Sequence, residues 1–378
     1  EINYYINNHE QNCGHAATGY AKLSGKPGVC LVTSGPGITN MITPMLDATN
    51  DSTPLIVISG QVPKHAVGTN AFQEAPAVDL SRNVTKWSHQ IKSIDEISNV
   101  LDHAFYIAQN GKKGAVHIDV PKCVSSDVTD KDFGNVINTN VLLTHRTSNK
   151  YNNHYRNIKP YGNYITENKI IDIYNVLLKS KKPIIYLGQG CVESQALLRD
   201  FAIKNNIPVT STIHGKGIFD DHHSLSLEWC GMHGLAAANY AIQESDCIVA
   251  LGSRFDDRTT GAINDYAPIA RKNKAIIHVN IEKSEINKAL ETNYNIHSSC
   301  EDFLLAIGDI IKYEGIIPKK QKWIQRVNKL KERYPFDLKF SSKENETNHF
   351  RLYKSYKKDL HMEEVIHDGE MDETNPFN

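Results

Sequence analysis

The feature that most constrains this chain is a recurring apolar run of strand length that stops at a glycine or a proline. Such runs occupy 28–33 (Gly-Val-Cys-Leu-Val-Thr), 54–59, 114–120, 183–187, 208–213, 246–251 and 274–280. None approaches the roughly 18 apolar residues that span a bilayer. Strands buried on both faces read as continuous apolar runs, whereas half-exposed strands alternate. Helical stretches lie between the runs. In one of them Ile97, Val100, Leu101, Ala104, Phe105 and Ala108 recur at helical spacing. Strands that alternate with helices predict parallel sheets covered on both faces. The expected class is α/β, with two doubly wound parallel-sheet domains and a disordered or irregular C-terminal tail.

The domain boundaries follow from where this pattern lapses. A first domain covers 1–125. Residues 126–168 hold few apolar residues and many Asn, Thr and Tyr, and read as a linker. A second domain covers 169–312. A basic helix follows at 313–334, with Trp323, Val327 and Leu330 on one side, and 335–378 is a polar tail.

Charge narrows the partners. The 378 residues carry 42 basic and 43 acidic side chains, a net charge of -1, which gives no hold on nucleic acid or an anionic membrane. The seven cysteines lack metal-ligand spacing and read as reduced thiols of an intracellular protein, in cytoplasm or an organelle matrix. The first residue is Glu1, so a leader or an earlier part of the chain is expected upstream.

Residues 9–21, His-Glu-Gln-Asn-Cys-Gly-His-Ala-Ala-Thr-Gly-Tyr-Ala, predict a helix that stops at Ser24-Gly25-Lys26-Pro27. Cys13, Ala16, Ala17, Tyr20 and Ala21 form its apolar stripe, and Glu10 falls on that stripe. A carboxylate there needs either a structural partner or a ligand, and its apolar setting predicts a raised pKa. Zinc is excluded, because His9 and His15 sit about 240° apart around a helix.

Three glycine turns follow strands. Ser34-Gly35-Pro36-Gly37 opens a helix over 38–48, and is either an anion- or ring-binding turn or an ordinary βα loop. Gly188-Gln189-Gly190 is not a full dinucleotide fingerprint, since Glu193 replaces its third glycine. Residues 252–261 bring two Arg and two Asp to a strand end, as a diphosphate and ribose site or as a self-satisfied ion-pair turn.

Taken together, several stretches resemble one family. They are HEQ at 9–11, GHAATGYAKLSGKPGVCLVTSGPGITN at 14–40, GQVP at 60–63, GTNAFQEA at 68–75, TKW at 85–87, GMHG at 231–234 and GSRFDDRTTG at 252–261. This series, over residues 5–330, is similar to the large catalytic subunit of acetolactate synthase, an enzyme of thiamine diphosphate that also binds FAD. The resemblance implies a reaction in branched-chain amino acid (isoleucine and valine) biosynthesis. Two pyruvates condense to 2-acetolactate and CO2, or pyruvate adds to 2-oxobutyrate.

The resemblance also implies residue roles. Glu10 hydrogen-bonds the aminopyrimidine ring of the cofactor, and Thr33, Pro36 and Asn40 line that ring. Phe72 and Gln73 face the reacting centre, Phe72 as an apolar wall and Gln73 as a donor to a substrate oxygen. FAD is expected on Gly188, Gly190, Thr212, Ile213, Met232, His233, Gly252, Ser253, Arg254, Asp256 and Arg258. A homodimer or tetramer is implied, with a regulatory small subunit as a further partner. Near Ser299 the family has Gly-Asp, and Cys300 stands where the acid is expected.

Mg2+ and the diphosphate belong to a third domain, which carries Gly-Asp-Gly and then Asn. His367-Asp368-Gly369 is the nearest approach to it. This chain alone is therefore expected not to turn over pyruvate. The alternatives are a truncated, non-catalytic flavin-binding product, or another thiamine-diphosphate and FAD enzyme such as pyruvate oxidase or glyoxylate carboligase.

Overall fold

The computed structural model describes residues 2–130 and 165–335. Most of the expected linker, the expected tail beyond residue 335, and His367-Asp368-Gly369 lie outside the described residues.

Two parallel sheets organise the chain. In the first, β1 (Gly28–Val32), β2 (Leu55–Gln61), β3 (Trp87–Gln90) and β4 (Ala115–Pro121) lie in the order β1-β2-β4-β3. In the second, β5 (Pro183–Leu187), β6 (Val209–Ser211), β7 (Ser226–Trp229), β8 (Cys247–Leu251), β9 (Ile276–Asn280) and β10 (Tyr294–His297) lie in the order β10-β9-β8-β5-β6-β7. Every pairing is parallel.

Alternate side chains of the inner strands enter cores on opposite faces. Leu55 and Val57 join Met41 and Met45 on one side of the first sheet, while Ile56 joins Val100 and Ala104 on the other. The second sheet behaves alike, with Ile185 and Val249 on one side and Ile184 and Ala250 on the other. The helix Gln321–Arg333 closes the latter face with Trp323, Val327 and Leu330, and Trp323 Nε1 donates to the Pro183 carbonyl at 2.9 Å. Burying such side chains contributes about 1.5–3 kcal/mol each, so this helix belongs to the domain it covers.

The structure corrects several expectations. β1 is buried on one face only, with Val29 and Leu31 outward, although its sequence is continuously apolar. The helix expected over 38–48 is two, α2 (Pro36–Asn40) and α3 (Ile42–Asn50). Pro44 has no N–H for the Asn40 carbonyl four residues back, so the helical ladder breaks there. Strands β3, β7 and β10 escaped the sequence reading. All three lie at or near sheet edges, and polar residues such as Ser88, His89, Asn295 and His297 interrupt them.

Helix α1 (Glu10–Ser24) is the expected one, but its buried stripe is rotated. Gly14, Thr18 and Ala21 face the core, whereas Ala16 and Tyr20 are exposed. The closest approach sets this rotation. A Cβ on Gly14 would sit 2.6 Å from Pro44 Cγ, so α1 rests on the proline ring through its smallest residue.

Candidate cofactor-binding sites

The first site gathers at the end of β1 and the start of α1. Glu10 is the first residue of α1 and is half-buried. Asn40, the last residue of α2, donates from Nδ2 to Glu10 Oε2 at 3.0 Å. That bond, then the helix-terminal backbone N–H of Glu10 itself, holds the carboxyl below its ordinary pKa against the opposing effect of desolvation, with His9 assisting. The expectation of a raised pKa is thus overturned. Glu10 lies at the helix mouth rather than on the buried stripe, and donors reach it there.

The turn that precedes α2 carries the rest. Gly35 has φ of 59°, which favours glycine, and a Cβ there would meet Gln73 Cα at 2.9 Å. The Gly68–Ala75 loop therefore lies directly on the Gly35 turn. Gln73 itself has φ of 58°, and its side chain and that of Phe72 are exposed, Phe72 to 89%. Glu74 clasps the loop by accepting from the N–H groups of Gly68 and Ala71, which also lowers its pKa. Thr33 packs its methyl beside Gly37, and Pro36 is exposed at the start of α2. Glu10 and Asn40 are thus joined directly, Gln73 and Gly35 touch, Thr33 directly follows β1 and Pro36 opens α2. A carboxylate and an amide joined at the rim suit a flat heteroaromatic ring with donor and acceptor edges.

The second site lies where β5 and β8 adjoin. The chain leaves β5 towards β6 and β7, then returns to β8 on its other side. This is a topological switch point, the place where open α/β sheets bind ligands. Gly188 and Gly252 press together there, and a Cβ on Gly188 would lie 2.8 Å from Ser253 Cα. The Gly188 N–H donates to the Leu251 carbonyl at 2.8 Å, and the Gly190 N–H to the Gly252 carbonyl at 3.1 Å. Thr212 caps its own turn by accepting from the Gly215 N–H at 3.0 Å, which leaves Ile213 exposed beside it.

The cluster at 252–261 is not a self-satisfied ion-pair turn. The Asp256 carboxylate accepts from the Thr259 N–H at 3.2 Å and caps the short turn 257–260. Arg258 reaches the Met232 sulfur at 3.5 Å, and the Met232 N–H donates to the Arg258 carbonyl at 2.7 Å. The GMHG and RFDDR segments are thus tied together, with Met232 and His233 exposed. Arg254 is half-buried. Ser253 is buried, and its Oγ has no partner among the described residues. A buried hydroxyl without a partner at a switch point fits a polar ligand.

Sequence reading missed the supports of both sites. The Ser253 carbonyl accepts from His278 Nε2 at 3.0 Å and Asn280 Nδ2 at 2.9 Å. Below the first site, Ser59, Gln61, His117 and Asp119 form a buried polar network. The available signal was a polar residue at every second position of an apolar strand, as in Val116-His117-Ile118-Asp119 and Ile277-His278-Val279-Asn280. Among the described residues no group of three or more His, Cys, Asp or Glu is placed to hold a metal ion. No helix among them is long and apolar enough to cross a membrane. All seven cysteines are free.

Comparison with known proteins bears on the same two regions. Residues 1–81 match the family described as thiamine pyrophosphate enzyme, N-terminal TPP binding domain. Residues 170–307 match thiamine pyrophosphate enzyme, central domain. The mitochondrial acetolactate synthase catalytic subunit of Saccharomyces cerevisiae is 39% identical over 346 residues, covering 89% of this chain and 48% of that protein. The acetolactate synthase large subunit of Cyanidium caldarium is 39% identical over 349 residues, covering 90% and 56%. The chloroplastic acetolactate synthase of Arabidopsis thaliana is 34% identical over 336 residues, covering 88% and 47%. The chain spans about half the length of these curated relatives. With both domain matches in sequence order and these relatives aligned across them, the chain belongs to the thiamine pyrophosphate enzymes, among the homologues of the acetolactate synthase catalytic subunit.

Proposed function

We propose that this chain supplies the pyrimidine-binding and flavin-binding parts of an acetolactate synthase catalytic subunit. In this reading the enzyme condenses two pyruvates to 2-acetolactate and CO2, or pyruvate with 2-oxobutyrate, for branched-chain amino acid synthesis. The observation that carries it is the Asn40–Glu10 hydrogen bond beside the Gly35 turn. It fixes one carboxylate oxygen and lowers the Glu10 pKa, which favours the form that accepts from an aminopyrimidine edge. Thiamine diphosphate, when bound, supplies the carbanion chemistry. The protein orients the ring through Glu10, Asn40, Thr33 and Pro36. Phe72 excludes water from one side, and the Gln73 amide donates to a substrate oxygen.

FAD is assigned to the β5/β8 switch point, with Gly188, Gly190, Thr212, Ile213, Met232, His233, Gly252, Ser253, Arg254, Asp256 and Arg258 around it. The unpartnered Ser253 hydroxyl supports this assignment. Mg2+ is assigned to the diphosphate end of the cofactor. Glu10 addresses a cofactor shared with a second copy, so a homodimer or tetramer is the assembly. A regulatory small subunit is a further partner. Free cysteines suit a reducing compartment, and several relatives are mitochondrial or chloroplastic by name.

The test is acetolactate formation from pyruvate by the native enzyme that contains this chain, with and without Glu10→Gln. The expected result is a loss on the order of 10²-fold or more. An unchanged rate in Glu10→Gln overturns the assignment. Reduction of bound flavin by pyruvate during turnover moves the reading to an oxidase.

A further inference from the structure

The loop that carries Phe72 and Gln73 is held by buried polar groups of β2 and β4. Gln61, the last residue of β2, donates from Nε2 to the Ala75 carbonyl at 2.9 Å and to Asp119 Oδ2 at 3.3 Å, and its Oε1 accepts from the Val62 N–H at 2.9 Å. Its amide is fully used and buried. Asp119, on β4, is buried too and accepts from three side chains. These are Gln61, Gln90 Nε2 at 2.8 Å and Ser59 Oγ at 2.8 Å. Ser59 gives its proton to Asp119, so it accepts from His117 Nε2 at 2.8 Å, and His117 Nδ1 then accepts the Ser81 hydroxyl at 2.7 Å. Burial lifts the Asp119 pKa, and the three donors oppose that rise.

We propose that Gln61 and Asp119 are positioning residues, which lock the Ala75 end of the Gly68–Ala75 loop so that Gln73 stays seated on Gly35. This rests on the reading of Gln73 as a substrate-facing donor. The geometry favours a lock over a mere core contact. Gln61 is the only side chain among the described residues that donates to the Ala75 carbonyl, two residues from Gln73. Gln73 is held at positive φ, a conformation that its own side chain does not favour and that outside restraint must maintain.

Two measurements on the intact enzyme test it. The first is amide hydrogen exchange over residues 68–75. Gln61→Met keeps the length and removes the donor, and Asp119→Leu removes the acceptor. Each should speed exchange in the loop about tenfold or more, while β2 and β4 stay protected. Asp119→Asn should restore protection. Its amide can face Ser59, whose hydroxyl turns to His117 Nε2 as the ring proton moves to Nδ1. Unchanged loop exchange in Gln61→Met, or in Asp119→Leu should Gln61→Met not fold, overturns the lock.

The second is a double-mutant cycle in acetolactate formation. Gln61→Met should lower kcat/KM on the order of tenfold or more, and should change it by less than about twofold when Gln73→Ala is already present. Full additivity overturns the positioning role. If Gln73→Ala alone leaves kcat/KM unchanged, the reading of Gln73 fails instead, and the exchange experiment still decides the lock.

Discussion

Asn40 and Glu10 lie 30 residues apart in sequence and meet through one hydrogen bond of 3.0 Å, from Nδ2 to Oε2. That bond is the largest influence keeping the Glu10 carboxyl acidic. Asn40→Ala should therefore raise the Glu10 pKa towards the ordinary glutamate value. Carboxyl NMR of the two forms checks this, and an unmoved titration contradicts the assigned bond.

Helix α1 meets Pro44 through Gly14, and the two possible effects of Gly14→Ala oppose each other. Alanine favours helix over glycine by about 1 kcal/mol. The new methyl would meet a rigid proline ring at 2.6 Å and Met41 Cε at 3.1 Å, and such overpacking costs about 1–3 kcal/mol. The ring cannot yield as a flexible side chain would, so a net loss is expected. Denaturant unfolding should show a lower midpoint, whereas a higher midpoint means that α1 can shift off Pro44.

Gly188 lies against the Gly252 carbonyl, and a Cβ there would collide with backbone on both Gly252 and Ser253. On the proposed flavin assignment, Gly188→Ala should push the β5 and β8 turns apart and strip flavin absorbance from the purified protein. Far-ultraviolet circular dichroism should remain close to the parent, because both sheets keep their cores. Retained flavin at full stoichiometry would place it elsewhere.

His117 is buried between Ser59 and Ser81, and burial drives its pKa from 6.5 down to about 4. The unfolded chain binds this proton below pH 6.5, and the folded chain does so only below about 4. Stability is thus fully present above pH 6.5 and falls as pH drops from there to about 4, by roughly 3 kcal/mol from this group. Asp119 works the other way, since its raised pKa lets the folded state take a proton first. His117→Gln should flatten the decline in urea midpoints across this window, and an equal decline in both proteins would argue against a buried neutral ring.

The sequence by itself determined the class of fold and the identity of the candidate residues. Most of the continuous apolar runs are satisfied inside parallel sheets covered on both faces, with the half-exposed β1 as the exception. The motifs that resemble the acetolactate synthase family include Glu10, Asn40 and Gly35, which the structure gathers at one strand end. Edge strands such as β3 were not legible, because a half-covered strand tolerates Ser88 and His89 and so loses its apolar signature.

Tertiary structure alone decided the direction of the Glu10 pKa shift, the rotation of α1 and the anchoring of Gln73. Each depends on a contact between segments distant in the chain, Asn40 for the first, Pro44 for the second and Gln61 for the third. Periodicity assigns a residue to one side of a helix or strand but does not say which donor or ring waits there. Desolvation and hydrogen bonding, which set the pKa and the register, act over a few ångströms of space and not along the sequence.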